Sequence, residues 1–424
     1  MATSTALRTR SRVLSVFAIA SLFSLLLAAC GGGGGGGGIK TDVGVDTSTK
    51  TINLGILTPL SGPVAAPIGV PLTQGIEVYF KSLNDRGGID GYKVHLIEKD
   101  TMYNPPTQVE QYNAIKGQVL MFAESLGTPT TQAIKDLVNR DKILVTVASL
   151  DSYLARQPYM VMVGTPYRLQ VENAFDYVVK QPGVTSPKTG LIYQDDSYGQ
   201  DGQTGYTEAV AAYHLTDVGQ ASYELTDTSF VSQVAKMKQG GAQYVFLTAI
   251  PTVAAKVIAT GYQLGYTPHW IMQSPAWSPL LLGNASLAAL LEHTTWVMGQ
   301  GAAWGDSSKP AMAQMLSDVQ KYQPDEQPNG YFEYGYSEAI VTAAILKKAA
   351  DSGDLTRAGV VNAFNSLGTV NMGGLLPDIH YGSSPNQRVP SRDSSVYTID
   401  PTVPGNVKDI SGDFTGTAAQ ASQF

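Results

Sequence analysis

The chain alternates short apolar runs with segments whose apolar residues recur at helical spacing. Residues 52–57 form an apolar run that stops at Thr58-Pro59-Leu60-Ser61-Gly62-Pro63, which predicts a strand and a turn. Over 71–85, Ile76, Tyr79, Phe80 and Leu83 follow the i, i+3, i+4, i+7 spacing of a helix with one buried face, and Gly87-Gly88 ends it. The same reasoning predicts strands at 93–100, 119–123, 143–148 and 161–165, with helices at 107–117 and 131–140. A helix at 170–180 and a turn-rich break at 182–187 open a second series. Its strands fall at 189–193, 221–224, 244–249, 270–273 and 296–299, and its helices at 201–214, 231–239 and 253–264. Helices at 310–321, 331–350 and 356–367 follow, and the C-terminal stretch is polar and rich in Gly and Pro, as expected of strand and tail. Strands separated by helices of this length imply parallel βαβ units. The expected fold class is therefore α/β, with two doubly wound parallel-sheet domains. Such sheets bind ligands at the carboxyl ends of their strands, so the natural site is the cleft between the two.

The N-terminus has a different pattern. Arg8, Arg10 and Arg12 precede an apolar stretch at 13–29 that ends Leu27-Ala28-Ala29-Cys30. Basic, apolar and small-residue regions in this order read as a secretory signal. A membrane-spanning helix is the alternative, for which the stretch is slightly short of the usual ~20 residues. The cysteine junction resembles a bacterial lipobox, in which Cys30 carries lipid. Gly31 to Gly38 follow it directly. Eight glycines lose too much entropy on ordering to be anything but a flexible tether, expected to run to about Lys50 and to span roughly 25 Å. No strand precedes them and no Gly-Lys-Ser/Thr follows, so they are no phosphate loop.

Composition narrows the function. The chain of 424 residues has 28 Lys+Arg against 35 Asp+Glu, a net charge of −7, which argues against a nucleic-acid binder. Residues 1–29 carry three arginines and no acid, so the chain without them has 25 basic against 35 acidic residues, net −10. The single cysteine excludes an internal disulfide and any zinc site built on paired cysteines. There is no Gly-x-Ser-x-Gly elbow and no His-Glu-x-x-His, and His95, His214, His269, His293 and His380 lack metal-ligand spacing. Asp195 and Asp196 follow a strand and precede Gly199, a setting for turn and helix-cap chemistry rather than acid–base work. No enzymatic activity and no cofactor are expected.

Six ordered landmarks then resemble the type I periplasmic binding proteins, closest to the branched-chain amino-acid and amide receptors of ATP-binding-cassette (ABC) importers. They are Gly55-Ile56-Leu57-Thr58-Pro59-Leu60-Ser61-Gly62-Pro63, then Gly75-Ile76-Glu77-Val78 through Asn84-Asp85-Arg86-Gly87-Gly88-Ile89, and Glu98-Lys99-Asp100-Thr101. Gly127-Thr128-Pro129-Thr130-Thr131-Gln132, Asp195-Asp196-Ser197-Tyr198-Gly199 and Tyr331-Phe332-Glu333-Tyr334-Gly335-Tyr336 complete the set. The resemblance implies two lobes joined by three crossovers and closing on a small ligand. Lobe one would hold 51–165 and 299–369, lobe two 166–298 and 370–400, and 401–424 would be a tail. It also implies an extracytoplasmic, membrane-anchored monomer whose partners are a small organic ligand (amino acid, amide or small carboxylate) and a membrane permease. A sensor of the same fold, coupled to a signalling partner, is the alternative.

By the same resemblance, Thr128 presents a hydroxyl, and the start of the following helix presents N–H groups, to a ligand carboxylate. Helix N-termini favour anions, although Thr128 and Thr130 can equally cap the helix. Ser149 is expected to add a hydroxyl and Ala148 a backbone contact. Tyr198 would reach the ligand from lobe two, Trp277 would stack on it or pack at the rim, and Tyr331 would face the cleft or the core. Amino-acid receptors place an acid after the strand equivalent to 270–273, to pair with the ligand ammonium. Here Gln273-Ser274-Pro275-Ala276-Trp277 has none. Either Glu124 or Asp151 substitutes, or the ligand lacks an ammonium and carries a carboxylate or amide on an apolar or aromatic body.

Overall fold

The computed structural model describes residues 38–423. The expected signal, Cys30 and nearly all of the glycine run lie outside them. Two sheets dominate. In the first, Thr51–Thr58 is central, with Lys93–Asp100 on one edge and Met121–Ser125 on the other, followed by Val145–Val147 and Met160–Met162, all parallel. In the second, Lys188–Gln194 lies between Thr216–Tyr223 and Tyr244–Thr248, followed by His269–Met272 and Thr295–Gly299, again parallel. In both sheets the first strand therefore lies between the second and the third. The switch point between first and third strands opens the crevice where ligands of such sheets bind.

The central strands, such as Thr51–Thr58 and Tyr244–Thr248, read as nearly continuous apolar runs because both faces are covered, whereas Lys93–Asp100 and Thr216–Tyr223 at the edges are more polar. Neighbouring residues alternate between cores: Ile56 packs with Ile76 and Phe80, while Leu57 packs with Tyr112 and Phe122. In the second sheet Val245 and Leu247 face one layer, and Phe246 faces Phe175 and Tyr206 on the other. Helices Val70–Asp85 and Gly330–Asp351 cover the first sheet at unusually close range. A methyl group on Gly75 would lie 2.0 Å from the Phe332 carbonyl oxygen, and one on Gly335 would lie 1.9 Å from that of Leu72. Only glycine permits this approach of two backbones.

The chain crosses between the sheets three times: after Met160–Met162, after Thr295–Gly299, and between Ile379–Tyr381 and Ser395–Ile399. Thr165 joins the three. Its N–H donates to Gln300 Oε1 (3.1 Å), and its hydroxyl sits between that same oxygen (2.7 Å) and the Asp393 carbonyl. The last crossover delivers Ser395–Ile399 antiparallel to Thr295–Gly299, with Val407–Asp409 at the sheet edge.

Most predicted elements are present, with shifted ends, and three differences have physical causes. The leader expected to run to Lys50 is ordered from Lys40: Lys40–Thr41 pairs with Asp354–Leu355, and the Asn53 N–H bonds the Gly44 carbonyl at 2.7 Å. Residues 401–424, expected as a tail, supply the edge strand and a short helix, Thr417–Ala421. The Gly416 N–H bonds Asn173 Oδ1 (2.7 Å), the Ala418 N–H bonds the Tyr213 hydroxyl (2.9 Å), and Ala419 is buried. A helix at Ala285–Thr294, capped by Asn284, was not anticipated.

Candidate functional site

The cleft between the strand ends encloses a cavity of about 220 Å³, and Thr128, Ala148, Ser149, Tyr198, Trp277 and Tyr331 all line it. Helix Thr128–Asp141 begins directly after strand Met121–Ser125, with Gly127 at its N-cap in the left-handed region (φ 97°). A side chain there would meet the Tyr103 ring at 2.4 Å, so glycine is required for the turn that points the helix start at the cleft. Three threonines share this turn and divide the work. Thr130 spends its hydroxyl on the Leu126 and Gly127 carbonyls, and Thr131 on Ser125. Thr128 instead meets Ser149 across the cavity floor, Oγ1 to Oγ at 2.7 Å. Two hydroxyls joined by one hydrogen bond keep one O–H free to donate. Tyr167, at the start of helix Tyr167–Val179, brings a third hydroxyl beside Thr128.

Ala148 differs from expectation. Its N–H already bonds the Ser125 carbonyl (3.0 Å) and its carbonyl accepts the Gly127 N–H (3.1 Å), because the strand pairing extends one step beyond Val147. It contributes a methyl wall rather than an N–H donor.

The second sheet supplies the opposing wall. Asp196 caps helix Ser197–Tyr213 by accepting the Tyr198 and Gly199 N–H groups, which fixes Tyr198 edge-on to the Tyr167 ring (centroids 4.7 Å apart). The Tyr198 hydroxyl donates to the Ala249 carbonyl (3.1 Å). Tyr331 reaches across the cleft and donates to the Pro275 carbonyl (2.8 Å), beside Trp277. Burial holds the phenols of Tyr198 and Tyr331 well above the usual range, so both are neutral hydrogen-bonding groups. Ser152, at the start of helix Ser152–Ala155 on the first sheet's side, bonds Asp201 in helix Ser197–Tyr213 on the second's.

No Lys, Arg or His among the described residues lines the cavity, and aliphatic side chains such as Ile68, Leu72, Leu126 and Ile250 do. An anion here would be held by hydroxyls and the helix N-terminus, without a cation. Neither acid considered as a substitute reaches the cavity. Glu124 is fully buried behind it, accepting from Thr73 (3.2 Å), and Asp151 caps Ser152–Ala155 and accepts from Gln132 (2.8 Å). The acid that does line it is Glu333, in the first turn of helix Gly330–Asp351. Sequence reasoning had passed over Glu333, Tyr103, Tyr167 and Gln170. An acid embedded in Tyr331-Phe332-Glu333-Tyr334 was the available signal.

The model of the periplasmic binding protein family matches residues 51–404. Leu/Ile/Val-binding protein homolog 3 from Brucella melitensis is 29% identical over 199 residues, covering 46% of this chain and 53% of that protein, so the chain spans about half of that relative's length. Homolog 7 from Brucella abortus is 24% identical over 326 residues, covering 72% of this chain and 79% of that one. Among solved structures, a fatty acid ABC transporter substrate-binding protein from Thermomonospora curvata superposes with a TM-score of 0.84 and 25% identity, over 91% of this chain and 97% of that one. A branched-chain amino acid ABC transporter protein from Thermus thermophilus, solved with bound valine, shares the fold with a TM-score of 0.75 at 16% identity, over 89% and 99% of the two chains. The chain belongs to the periplasmic binding protein family, with the type I two-lobed fold of its branched-chain amino-acid receptor branch.

Proposed function

We propose that this protein is an extracytoplasmic receptor that captures a carboxylate with an apolar body and delivers it to an ABC importer. The observation that carries the reading is the composition of the cavity wall. A hydroxyl pair at a helix N-terminus offers an anion site at one place, the rest of the wall is mostly aromatic and aliphatic with Gln170, Gln300, Asn329 and Glu333 as its polar breaks, and the acid that would pair with an amino-acid ammonium is missing after His269–Met272. An apolar cavity of ~150 Å³ holds a benzene ring. About 220 Å³ therefore has room for a somewhat larger body, such as a short alkyl or aryl chain. The name of the Thermomonospora curvata protein points to the same ligand class.

In this reading Thr128, Ser149 and Tyr167 hold the carboxylate, while Tyr198, Trp277, Tyr331 and the Ala148 methyl enclose the body. Ligand contact with both walls favours the closed arrangement of the lobes, which is the form a permease reads. Cys30 carries the lipid that keeps the monomeric receptor at the membrane. Calorimetric titration with leucine, alkyl carboxylates, aryl carboxylates and their amides tests the ligand class. Binding of the alkyl or aryl acids is expected; tight leucine binding with none of the others bound would overturn the reading.

A further inference from the structure

Glu333 is the one Asp, Glu, Lys, Arg or His, among the described residues, that lines the cavity, and it is 7% exposed. No donor or cation among the described residues bonds its carboxyl, and burial alone holds its pKa well above the carboxylate range. Its carboxyl thus has hydrogen-bonding capacity that no neighbour takes up, and burial disfavours its charged form. Leaving such a group without a partner costs roughly 1–3 kcal/mol, which a ligand group bonding it would recover.

Its position separates it from the hydroxyl end of the site. Residues two apart on a helix point about 200° from each other. Tyr331 and Glu333 therefore face opposite sides of the start of Gly330–Asp351. Tyr331 lies in the electrostatic company of Tyr167 and Tyr103, next to Thr128. Glu333 acts instead on Tyr397, whose hydroxyl bonds the Gly301 carbonyl at the second crossover (2.9 Å). The cavity therefore has two chemically distinct stations, the hydroxyls beside Thr128 and the Glu333 carboxyl toward Tyr397.

We propose that Glu333 is a specificity-determining residue whose carboxyl hydrogen-bonds a second, uncharged polar group (hydroxyl, keto or amide) carried on the ligand's apolar body away from its carboxylate. The inference rests on the carboxylate reading above. Calorimetric titration of the full chain with octanoate, ω-hydroxyoctanoate and ω-aminooctanoate, extended over a series of chain lengths, tests it. At the best length the ω-hydroxy acid is expected to bind about tenfold more tightly than the plain acid. Glu333→Leu should abolish that preference and Glu333→Gln should keep part of it. No preference in the unaltered chain, or a preference that survives Glu333→Leu, overturns the inference and leaves the carboxylate reading standing. Tighter binding of the ω-amino acid than of the ω-hydroxy acid overturns the uncharged second group. Failure of all three classes to bind at any length overturns both.

Discussion

Ser152 donates its backbone N–H (3.1 Å) and its hydroxyl to the two carboxylate oxygens of Asp201, joining the first sheet's side of the cleft to the second's. The contact is buried, and the Arg168 N–H adds a third donor at 3.1 Å. Burial, with the Asp151 charge as a second cause, pushes the Asp201 carboxyl up to about 7; the Arg168 guanidinium faces away, paired with Glu208 and Glu172. When the lobes part, water returns and the carboxyl falls back toward its usual value. The closed form then binds more protons between the two values, so closure is favoured at low pH and weakens as pH rises through about 7. Ligand affinity measured between pH ~5 and ~8 should fall with rising pH. Asp201→Asn should flatten the profile, and a flat profile in the unaltered protein would rule the latch out.

In the proposed reading, Thr128 and Ser149, joined by a 2.7 Å hydrogen bond, act on the ligand as one donor unit. Thr128→Val and Ser149→Ala should each weaken binding of an apolar carboxylate about tenfold. The double variant should lose little more than either single one, because each single change already breaks the shared hydrogen bond. Titration of the three variants checks this, and full additivity would mean that the two hydroxyls bind independently.

Glu124 governs stability rather than binding. Burial pushes its carboxyl up to about 8, against hydrogen bonds from Thr58 and Thr73 that pull it down. The folded state therefore holds a proton that the unfolded chain releases above its ordinary value. Stability contributed by this group is complete below about 4.5 and is lost as pH rises through about 8. Glu124→Gln should reduce the fall in melting temperature across that window without changing ligand affinity at fixed pH.

Gly75 and Gly335 let two helices touch backbone to backbone. Alanine at either position must push the helices apart and should cost about 2 kcal/mol or more. Denaturant titration reads this directly as a lower midpoint. A neutral Gly335→Ala would show that the pair relaxes freely.

The alternation of strands and helices was legible because strands buried on both faces, such as Tyr244–Thr248, carry runs that no surface segment would. Segments that borrow their order from distant partners were not. Thr417–Ala421 is held by Asn173 and Tyr213, and Lys40–Thr41 by Asp354–Leu355. At the site, Thr128 and Ser149 came from the family resemblance, and both line the cavity. Tyr167 was not legible, since it enters the cavity only through the packing of a whole helix, and Glu333 showed only as an acid within an aromatic helix start. The resemblance also marked Ala148 as a backbone contact without revealing that strand pairing had already consumed its N–H.

The meeting of Leu72 with Gly335 has a consequence for how the molecule comes into being. A chain emerging N-terminus first finishes its opening sheet at Met162 but must wait for Gly330–Asp351 to cover it. The other sheet waits longer still, for Ser395–Ile399 and Val407–Asp409. Each sheet thus lacks part of its cover or of its strands until segments far along the chain are made, and the apolar faces that those segments bury stay open to water until then.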